Sequence, residues 1–356
     1  MNDVFTEVVT HIPGVLASSD ACTAIRAVNA RLPAALFSSA GFECHLGVKE
    51  SRADWHLWIE SNGNGRDVLA GNIPLADLDP SLFDSPGWQR IRFFSKQWAD
   101  PSSPLHENVR HVVLEFDQDR MNERAPIPGV FLAINKGSGQ DIRAWLADAL
   151  ALLQETPLRR AVRDRLRYCC DALPRGAGVD YAASMLARTC DGVRIVILLD
   201  GGDLEDYLKA VGYPGSIDEI MEATAEFGAF ARLRYLIDIS DAVLPQIGIE
   251  CFPRKEDGEI KTACERLLEH LAKRSLCLPE KRDALLLWPG YARTVLPSDL
   301  WPSYIFRRIS HVKVVCRNRA PHEAKGYLSF QRKFAPEIIR DLRAVGMADE
   351  TAAPSR

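Results

Sequence analysis

The sequence lacks the features that would place it in a membrane or on nucleic acid. No stretch reaches the roughly 18 uncharged apolar residues that a transmembrane helix needs. The first residues, MNDVFTEVVTHIPG, have neither a basic start nor a long apolar centre, so we expect no membrane span and no signal peptide. Basic and acidic residues number 44 and 48, for a net charge of −4. The chain therefore has no overall attraction for nucleic acid, and we expect none as a partner.

The common metal and cofactor motifs are also missing. The nine cysteines include no CxxC pair, and the histidines include no HExxH motif and no close pair with zinc-ligand spacing. The glycine-rich segments NGNG, KGSGQ and DGGD match neither dinucleotide-binding nor phosphate-binding loops, and there is no GxSxG motif. The DQD segment at 117–119 could be read as a metal-binding motif, but acidic residues are common where a strand enters a turn, and we interpret it as such a turn. We expect no metal, no cofactor, and reduced, buried thiols in a cytoplasmic protein.

What the sequence does contain is about ten strand patterns interspersed with amphipathic helices. A hydrophobic content of 47% with 26% charged residues is typical of a globular domain. The layout predicts a single α+β domain over 1–346, for which duplication into halves of about 1–155 and 156–346 is one interpretation, and a flexible tail over 347–356. The predicted strands cover 42–48, 54–61, 90–98, 111–119, 129–135, 193–200, 231–240, 245–252, 311–318 and 325–333. The predicted helices include 19–38, one beginning near 141, one beginning near 157, 216–230, one near 260–271, and 336–346.

Most of the predicted strands have one apolar face and one polar face with ionisable groups. In HVVLEFDQD, at 111–119, His111 and Glu115 share one side, whereas Val112 and Leu114 point the other way. The same count gives polar faces that contain Asp54, His56 and Glu60; Arg232, Arg234 and Asp238; Gln246 and Glu250; His311, Lys313 and Arg317; and Lys325, Tyr327 and Ser329.

These polar faces cannot meet in a dry core, because each unpaired buried charge would cost several kcal/mol. Two arrangements satisfy the pattern, with helices covering the apolar face in both. One is an open antiparallel sheet with a solvated polar side. The other is a barrel whose charges surround a hydrated lumen, which also removes the exposed edge strands. The pattern leaves both arrangements open.

The element order, the polar strand faces and the last hairpin, HVKVVCRNRAPHEAKGYLSFQRKF at 311–334, resemble those of the αββα-barrel prenyltransferases. The resemblance implies helices wrapped around a ten-stranded antiparallel barrel. It also implies two small-molecule partners inside the barrel, an allylic diphosphate and an aromatic or peptide acceptor. One departure is that such barrels shield a carbocation with inward tyrosines, and here the strand count turns only Tyr327 clearly inward.

The resemblance further implies roles for the inward charges. Glu115 or Glu250 would be the catalytic carboxylate that orients or deprotonates the acceptor. The cations would stabilise the leaving diphosphate. The implied substrate-binding residues are Arg194, Arg232, Arg234, Asp238, His311, Lys313, Arg317, Lys325 and Tyr327.

Two further interpretations remain beside the transferase hypothesis. The inward charges can neutralise one another across adjacent strands and have only a structural role. The chain can also be a non-catalytic peptide- or small-molecule-binding protein of a biosynthetic pathway, which uses the same polar face or an exposed strand edge.

Overall fold

The computed structural model describes residues 2–75, 78–154, 157–187, 192–254, 260–297, 299–317 and 320–344. The predicted tail at 347–356 and the predicted helix end at 346 lie outside these residues. The strands are β1 Ser39–His45, β2 Ala53–Glu60, β3 Val109–Phe116, β4 Gly129–Ile134, β5 Gly178–Ser184, β6 Val193–Leu198, β7 Ala231–Ile239, β8 Val243–Pro253, β9 Gly290–Thr294, β10 Ser303–Arg317 and β11 Ala320–Phe334. The helices are α1 Asn2–Val9, α2 Ser19–Asn29, α3 Gly65–Ala70, α4 Pro86–Ala99, α5 Pro104–Asn108, α6 Leu146–Leu153, α7 Arg160–Asp171, α8 Leu204–Ala210, α9 Ile217–Gly228, α10 Ile260–Lys273, α11 Pro279–Leu286 and α12 Ala335–Ala344.

Ten of these strands form a closed antiparallel barrel. Strands β1 to β8 pair in chain order, β10 follows β8, and β11 pairs with both β10 and β1 to complete the ring. Strand β9 lies outside the ring and pairs with the first part of β10. The predicted α+β class is therefore confirmed, and of the two arrangements that the pattern left open, the barrel is the one that occurs. Strands from both predicted halves build this one ring, and the duplication itself stays a prediction.

The apolar faces of the strands pack outward against the helices. Trp55 on β2 and Phe42 on β1 are fully buried, with ring centroids 5.0 Å apart. Phe5 of α1 packs edge-on against Trp55 at 5.2 Å, and Trp288 packs edge-on against Phe42 at 5.8 Å. Because the apolar faces pack in this outer core, the polar faces of the strands line the lumen. Within the described residues, no helix combines the length and the apolar character needed to cross a bilayer.

The strand predicted at 90–98 is wrong, because this segment belongs to α4. Pro86 occupies the first turn of that helix, where a missing N–H costs little. The buried residues Trp88, Ile91, Phe94 and Trp98 recur at steps of three and four, which is the helical period. The aromatic and β-branched residues of RIRFFSKQW had favoured a strand.

Other elements also differ from the sequence prediction. Strand β5, with the sequence GVDYAAS, was missed because its small residues give no clear alternation. Helix α2 ends at Asn29 rather than near 38, and helix α11 was not among the predicted helices. At the start of α9, Ser216 Oγ accepts a hydrogen bond from the Glu219 N–H and so caps the helix.

Candidate functional site: the barrel lumen

The barrel register places polar residues opposite one another on neighbouring strands. Glu115 of β3 is opposite His56 of β2. Farther round the ring, Glu250 of β8 is opposite Arg234 of β7 on one side and Lys313 of β10 on the other. Side chains that are far apart in the sequence therefore converge on the space inside the barrel.

Two cavities occupy this space. The first, here called the aromatic cavity, has a volume of about 110 Å³ and is lined by His56, Trp58, Val113, Glu115, Phe131, Tyr181, Val196, Arg234, Leu236, Glu250, Phe252, Ser310, His311, Lys313 and Tyr327. The second, here called the charged cavity, has a volume of about 190 Å³ and is lined by Glu43, Glu115, Arg194, Leu236, Asp238, Gln246, Gly248, Lys313, Val315, Arg317, Glu323 and Lys325. Glu115, Leu236 and Lys313 line both.

Of the residues singled out from the sequence, one lies away from these cavities. Arg232 is exposed and lines neither of them, although its guanidinium lies 5.9 Å from the Phe252 ring. Because β7 alternates, Arg232 shares a face with Arg234, but it is the second residue of the strand and so lies at the end of the barrel. The other predicted residues line one cavity or both: Glu115, Arg194, Arg234, Asp238, Glu250, His311, Lys313, Arg317, Lys325 and Tyr327.

Glu43 of β1 is the most buried carboxylate at the site and was not singled out from the sequence. Lys325 Nζ lies 2.6 Å from Glu43 Oε1, and Lys313 Nζ lies 3.3 Å from Glu43 Oε2. Burial raises the pKa of Glu43, but the ammonium groups of Lys313 and Lys325 outweigh it and hold the pKa well below its usual range. Lys313 also donates a hydrogen bond to the Tyr327 hydroxyl. Glu43 is thus an ionised anchor for both lysines.

Most of the arginines are also paired. Arg194 makes two hydrogen bonds to Asp238, at 2.6 Å and 3.0 Å. Arg234 Nη1 lies 2.9 Å from Asp180 Oδ2. Arg317 instead donates to the neutral Oε1 of Gln246, at 3.0 Å from its Nε. A new anion would therefore compete with a carboxylate at Arg194 and Arg234, but with an amide at Arg317.

Glu250 has an unusual protonation equilibrium. Burial raises the pKa of Glu250 to about 7, although the nearby Arg234 and Lys313 oppose that rise. His311 stacks between Phe252 and Tyr327, with ring centroids at 4.6 Å and 4.1 Å. Burial, followed by the charges of Lys313 and Arg234, lowers the pKa of His311 well below its usual value. Near neutral pH, the protonated and ionised forms of Glu250 therefore coexist beside an imidazole that stays uncharged.

The structure turns a second tyrosine into the barrel, whereas the sequence had indicated only Tyr327. Tyr181 of β5 lines the aromatic cavity, and its hydroxyl lies 3.0 Å from His111 Nε2. Strand β5 was missed in the sequence, so no signal pointed to Tyr181. Trp58, Phe131 and Phe252 add further aromatic surface to the same cavity.

Comparison with known proteins identifies structural relatives only. No protein-family model matches the sequence, and no curated protein matches it. A structure of PriB, in binary complex with product diphosphate, is 16% identical over 92% of this chain and 94% of that one, with a TM-score of 0.52. AnaPT from Neosartorya fischeri is 13% identical over 94% and 90% of the two chains, with a TM-score of 0.49. The 5-dimethylallyl tryptophan synthase from Streptomyces coelicolor is 14% identical over 92% and 94%, with a TM-score of 0.44.

At these identities the likeness concerns the fold. The match to PriB extends over nearly the whole of both chains, and the ring of ten antiparallel strands with helices outside is the architecture that the sequence pattern resembled. The chain has the fold of the αββα-barrel prenyltransferases.

Proposed function

We propose that the chain transfers an allylic group from a diphosphate to an aromatic or peptide acceptor inside the barrel. The observation that carries the proposal is the position of Glu250, a buried carboxylate with a pKa of about 7, beside Arg234 and Lys313 in an aromatic-lined cavity within the barrel. The surrounding barrel wall supports this chemistry, because a reactive allylic cation has to be kept from bulk water. The shared fold with PriB, a prenyltransferase crystallised with its diphosphate product, supports it as well.

The charged cavity is the proposed site for the diphosphate. It brings together the cations of Arg194, Lys313, Arg317 and Lys325. Fixed cations stabilise the charge that develops on a leaving diphosphate. Arg317 is the proposed first contact of the diphosphate, because its described partner is the uncharged Gln246 side chain. Replacing this hydrogen bond with one to the diphosphate breaks no ion pair. In the reaction the carbon–oxygen bond to the diphosphate breaks, and the electron pair leaves with the diphosphate.

The aromatic cavity is the proposed site for the allylic group and the reacting part of the acceptor. Aromatic rings stabilise a neighbouring cation. Trp58 and Phe131 line this space, together with Phe252 and Tyr327, whose rings already stack on His311. The allylic carbon forms its new bond to the acceptor, and the proton that the acceptor loses passes to Glu250. A base with a pKa near the working pH suits this transfer. Glu115 and Lys313, which line both cavities, would position the two substrates relative to each other.

A second candidate function is recognition without catalysis. The charged cavity is lined by four cationic side chains and by four carboxylates, those of Glu43, Glu115, Asp238 and Glu323. Such a balanced surface suits a zwitterionic or peptide ligand as well as a multiply charged anion. This candidate predicts binding of an amino acid or peptide with no change in its mass.

A two-part experiment separates these functions. Thermal shifts with pyrophosphate, allylic diphosphates and aromatic amino acids or peptides report binding to the folded chain, and mass spectrometry of the acceptor reports transfer. We expect stabilisation by a diphosphate and a heavier acceptor with the wild type, and binding without a mass change with Glu250→Gln. The matched control is Glu265→Gln, a carboxylate on the surface of α10 next to Lys261, which should behave as the wild type.

A further inference from the structure

Three potential metal ligands lie in a row on three adjacent strands of the barrel wall. On β1 and β2, Gly41 is opposite His56 and Glu43 is opposite Asp54. On β2 and β3, His56 is opposite Glu115. Residues two apart on a strand share a face, so Glu43, His56 and Glu115 point into the lumen from neighbouring strands. They are 13 and 59 positions apart in the chain, so no sequence motif connects them.

The Nε2 atom of His56 is buried and has no hydrogen-bond partner among the described residues. Its nearest carboxylate oxygens are Glu43 Oε2 at 3.6 Å and Glu115 Oε2 at 3.8 Å. Both distances exceed that of a hydrogen bond, and only 4% of the His56 side chain is exposed. An unsatisfied buried polar atom costs about 1–3 kcal/mol. A ligand between the three side chains would remove this cost.

The spacing and the atom types fit a metal ion. The three ligand atoms lie within 4.8 Å of one another. Atoms bound about 2.1 Å from one Zn²⁺ at near-tetrahedral angles are roughly 3.4 Å apart, so small side-chain rotations would complete the site. One imidazole with two carboxylates suits Zn²⁺, Mn²⁺, Fe²⁺ or Co²⁺, whereas Mg²⁺ and Ca²⁺ prefer oxygen ligands throughout. We propose that Glu43, His56 and Glu115 bind one divalent transition-metal ion in the barrel lumen.

The two lysines set the strength of this site. Lys325 contacts Glu43 Oε1, whereas the oxygen nearer to His56 is Oε2, which Lys313 approaches at 3.3 Å. A metal ion would take Oε2, and Lys313 would keep its hydrogen bond to Tyr327. Both ammonium groups would repel a metal ion bound to Glu43, because like charges a few ångströms apart repel each other strongly in a buried site. The site therefore binds a metal more weakly than an isolated site with the same ligands, and removal of one lysine charge should strengthen binding.

The bound ion would have a role of its own. Three protein ligands leave coordination positions open, and Glu115 and His56 both border the aromatic cavity. An oxygen atom of a ligand in the lumen would occupy an open position. The proposal does not depend on prenyl transfer, because an ion at this place would serve a binding protein equally well.

The test uses metal alone. The full-length protein is stripped with a chelator and titrated with Co²⁺, followed by visible absorption, and with Zn²⁺, followed by calorimetry. We expect one ion per chain, with absorption bands of ligated Co²⁺ in the wild type. Loss of a ligand in His56→Ala or Glu115→Gln should weaken binding about 10-fold or more. The matched control His322→Ala removes an exposed imidazole on β11 and should leave affinity unchanged.

Lys325→Gln is the most discriminating variant. This variant should bind Zn²⁺ and Co²⁺ more tightly than the wild type, because it lacks one of the charges that repel the ion. If the proposed diphosphate site is also correct, the same variant should bind pyrophosphate more weakly. Circular dichroism identifies any variant that fails to fold, and Lys325→Gln and Glu115→Gln keep the test valid if His56→Ala does not fold. The proposal is overturned if the wild type binds no Co²⁺ or Zn²⁺ at one ion per chain. It is equally overturned if the folded ligand variants bind metal as the wild type does.

Discussion

Lys313 Nζ lies 3.3 Å from Glu43 Oε2 inside the barrel lumen, although the two residues are 270 positions apart in the chain. The contact exists because β11 pairs with β1 and β10, and so closes the ring. Glu43 is 0% exposed and is surrounded by Lys313, Lys325 and His56. This buried ionic cluster connects the closure of the barrel to the charge of its interior.

We expect Glu43→Gln to destabilise the fold strongly. Removal of Glu43 takes the close anion from Lys313 and leaves Lys325 only the more distant carboxylates of Asp54 and Glu323, at 3.8 Å and 3.9 Å. Breaking a buried ion pair in this way costs about 3–5 kcal/mol. The measurement is the free energy of unfolding from urea denaturation. The triple variant Glu43→Met, Lys313→Met and Lys325→Met, which removes all three charges, should recover much of the loss. Equal stability of Glu43→Gln and the wild type would mean that the cluster is open to water.

Arg317 and Arg232 form a matched pair for anion binding. Both were predicted to bind substrate, but Arg317 lines the charged cavity and Arg232 does not. Loss of a hydrogen bond to a charged group costs about 1.5–3 kcal/mol, so Arg317→Met should weaken pyrophosphate binding about 10-fold or more. Arg232→Met should change it little. Isothermal titration calorimetry checks both, and an equal loss in the two variants would place the anion at the barrel end instead.

The raised pKa of Glu250 predicts how stability depends on pH. The native state keeps its proton up to about pH 7, whereas an ordinary Glu loses it near 4.5. Native protein therefore binds more protons than unfolded protein between these values, and Glu250 makes the fold less stable as the pH rises through that window. Above this window, the loss of stability amounts to about 3 kcal/mol, from 1.36 kcal/mol for each pKa unit.

Glu250→Gln should remove this dependence. Its free energy of unfolding should match that of the wild type near pH 4.5 and exceed it increasingly up to pH 7, with a plateau above. Urea denaturation at a series of pH values measures the difference, and Glu265→Gln, on the surface of α10, should show no such trend. A difference that stays constant with pH would contradict the raised pKa.

The sequence predicted the character of the lumen better than its geometry. Alternation within β3, β7, β8, β10 and β11 placed Glu115, Arg234, Glu250 and Lys313 on polar faces, and physical cost alone excluded a dry core for them. The period of two within a strand does not reveal which strands are neighbours. The partnership of Lys313 with Glu43, and the row that includes His56, therefore required the register of the closed ring.

The missed elements have local causes. In α4, aromatic and β-branched residues favour a strand, but buried positions at helical spacing and Pro86 in the first turn determine a helix. In β5, the alanines do not favour a strand, so the sequence did not predict that Tyr181 lines the aromatic cavity. Tertiary pairing with β4 and β6 determines the strand there.

The most direct test of the proposed function is the mass of an aromatic acceptor, such as tryptophan or a tryptophan-containing peptide, after incubation with dimethylallyl diphosphate. The account predicts an acceptor heavier by the allylic group with the wild type, with pyrophosphate released in equal amount. It predicts a rate that rises with pH through about 7 as Glu250 becomes ionised, and no product with Glu250→Gln. An acceptor that binds in the lumen together with the diphosphate, but never changes in mass at any pH, would contradict it.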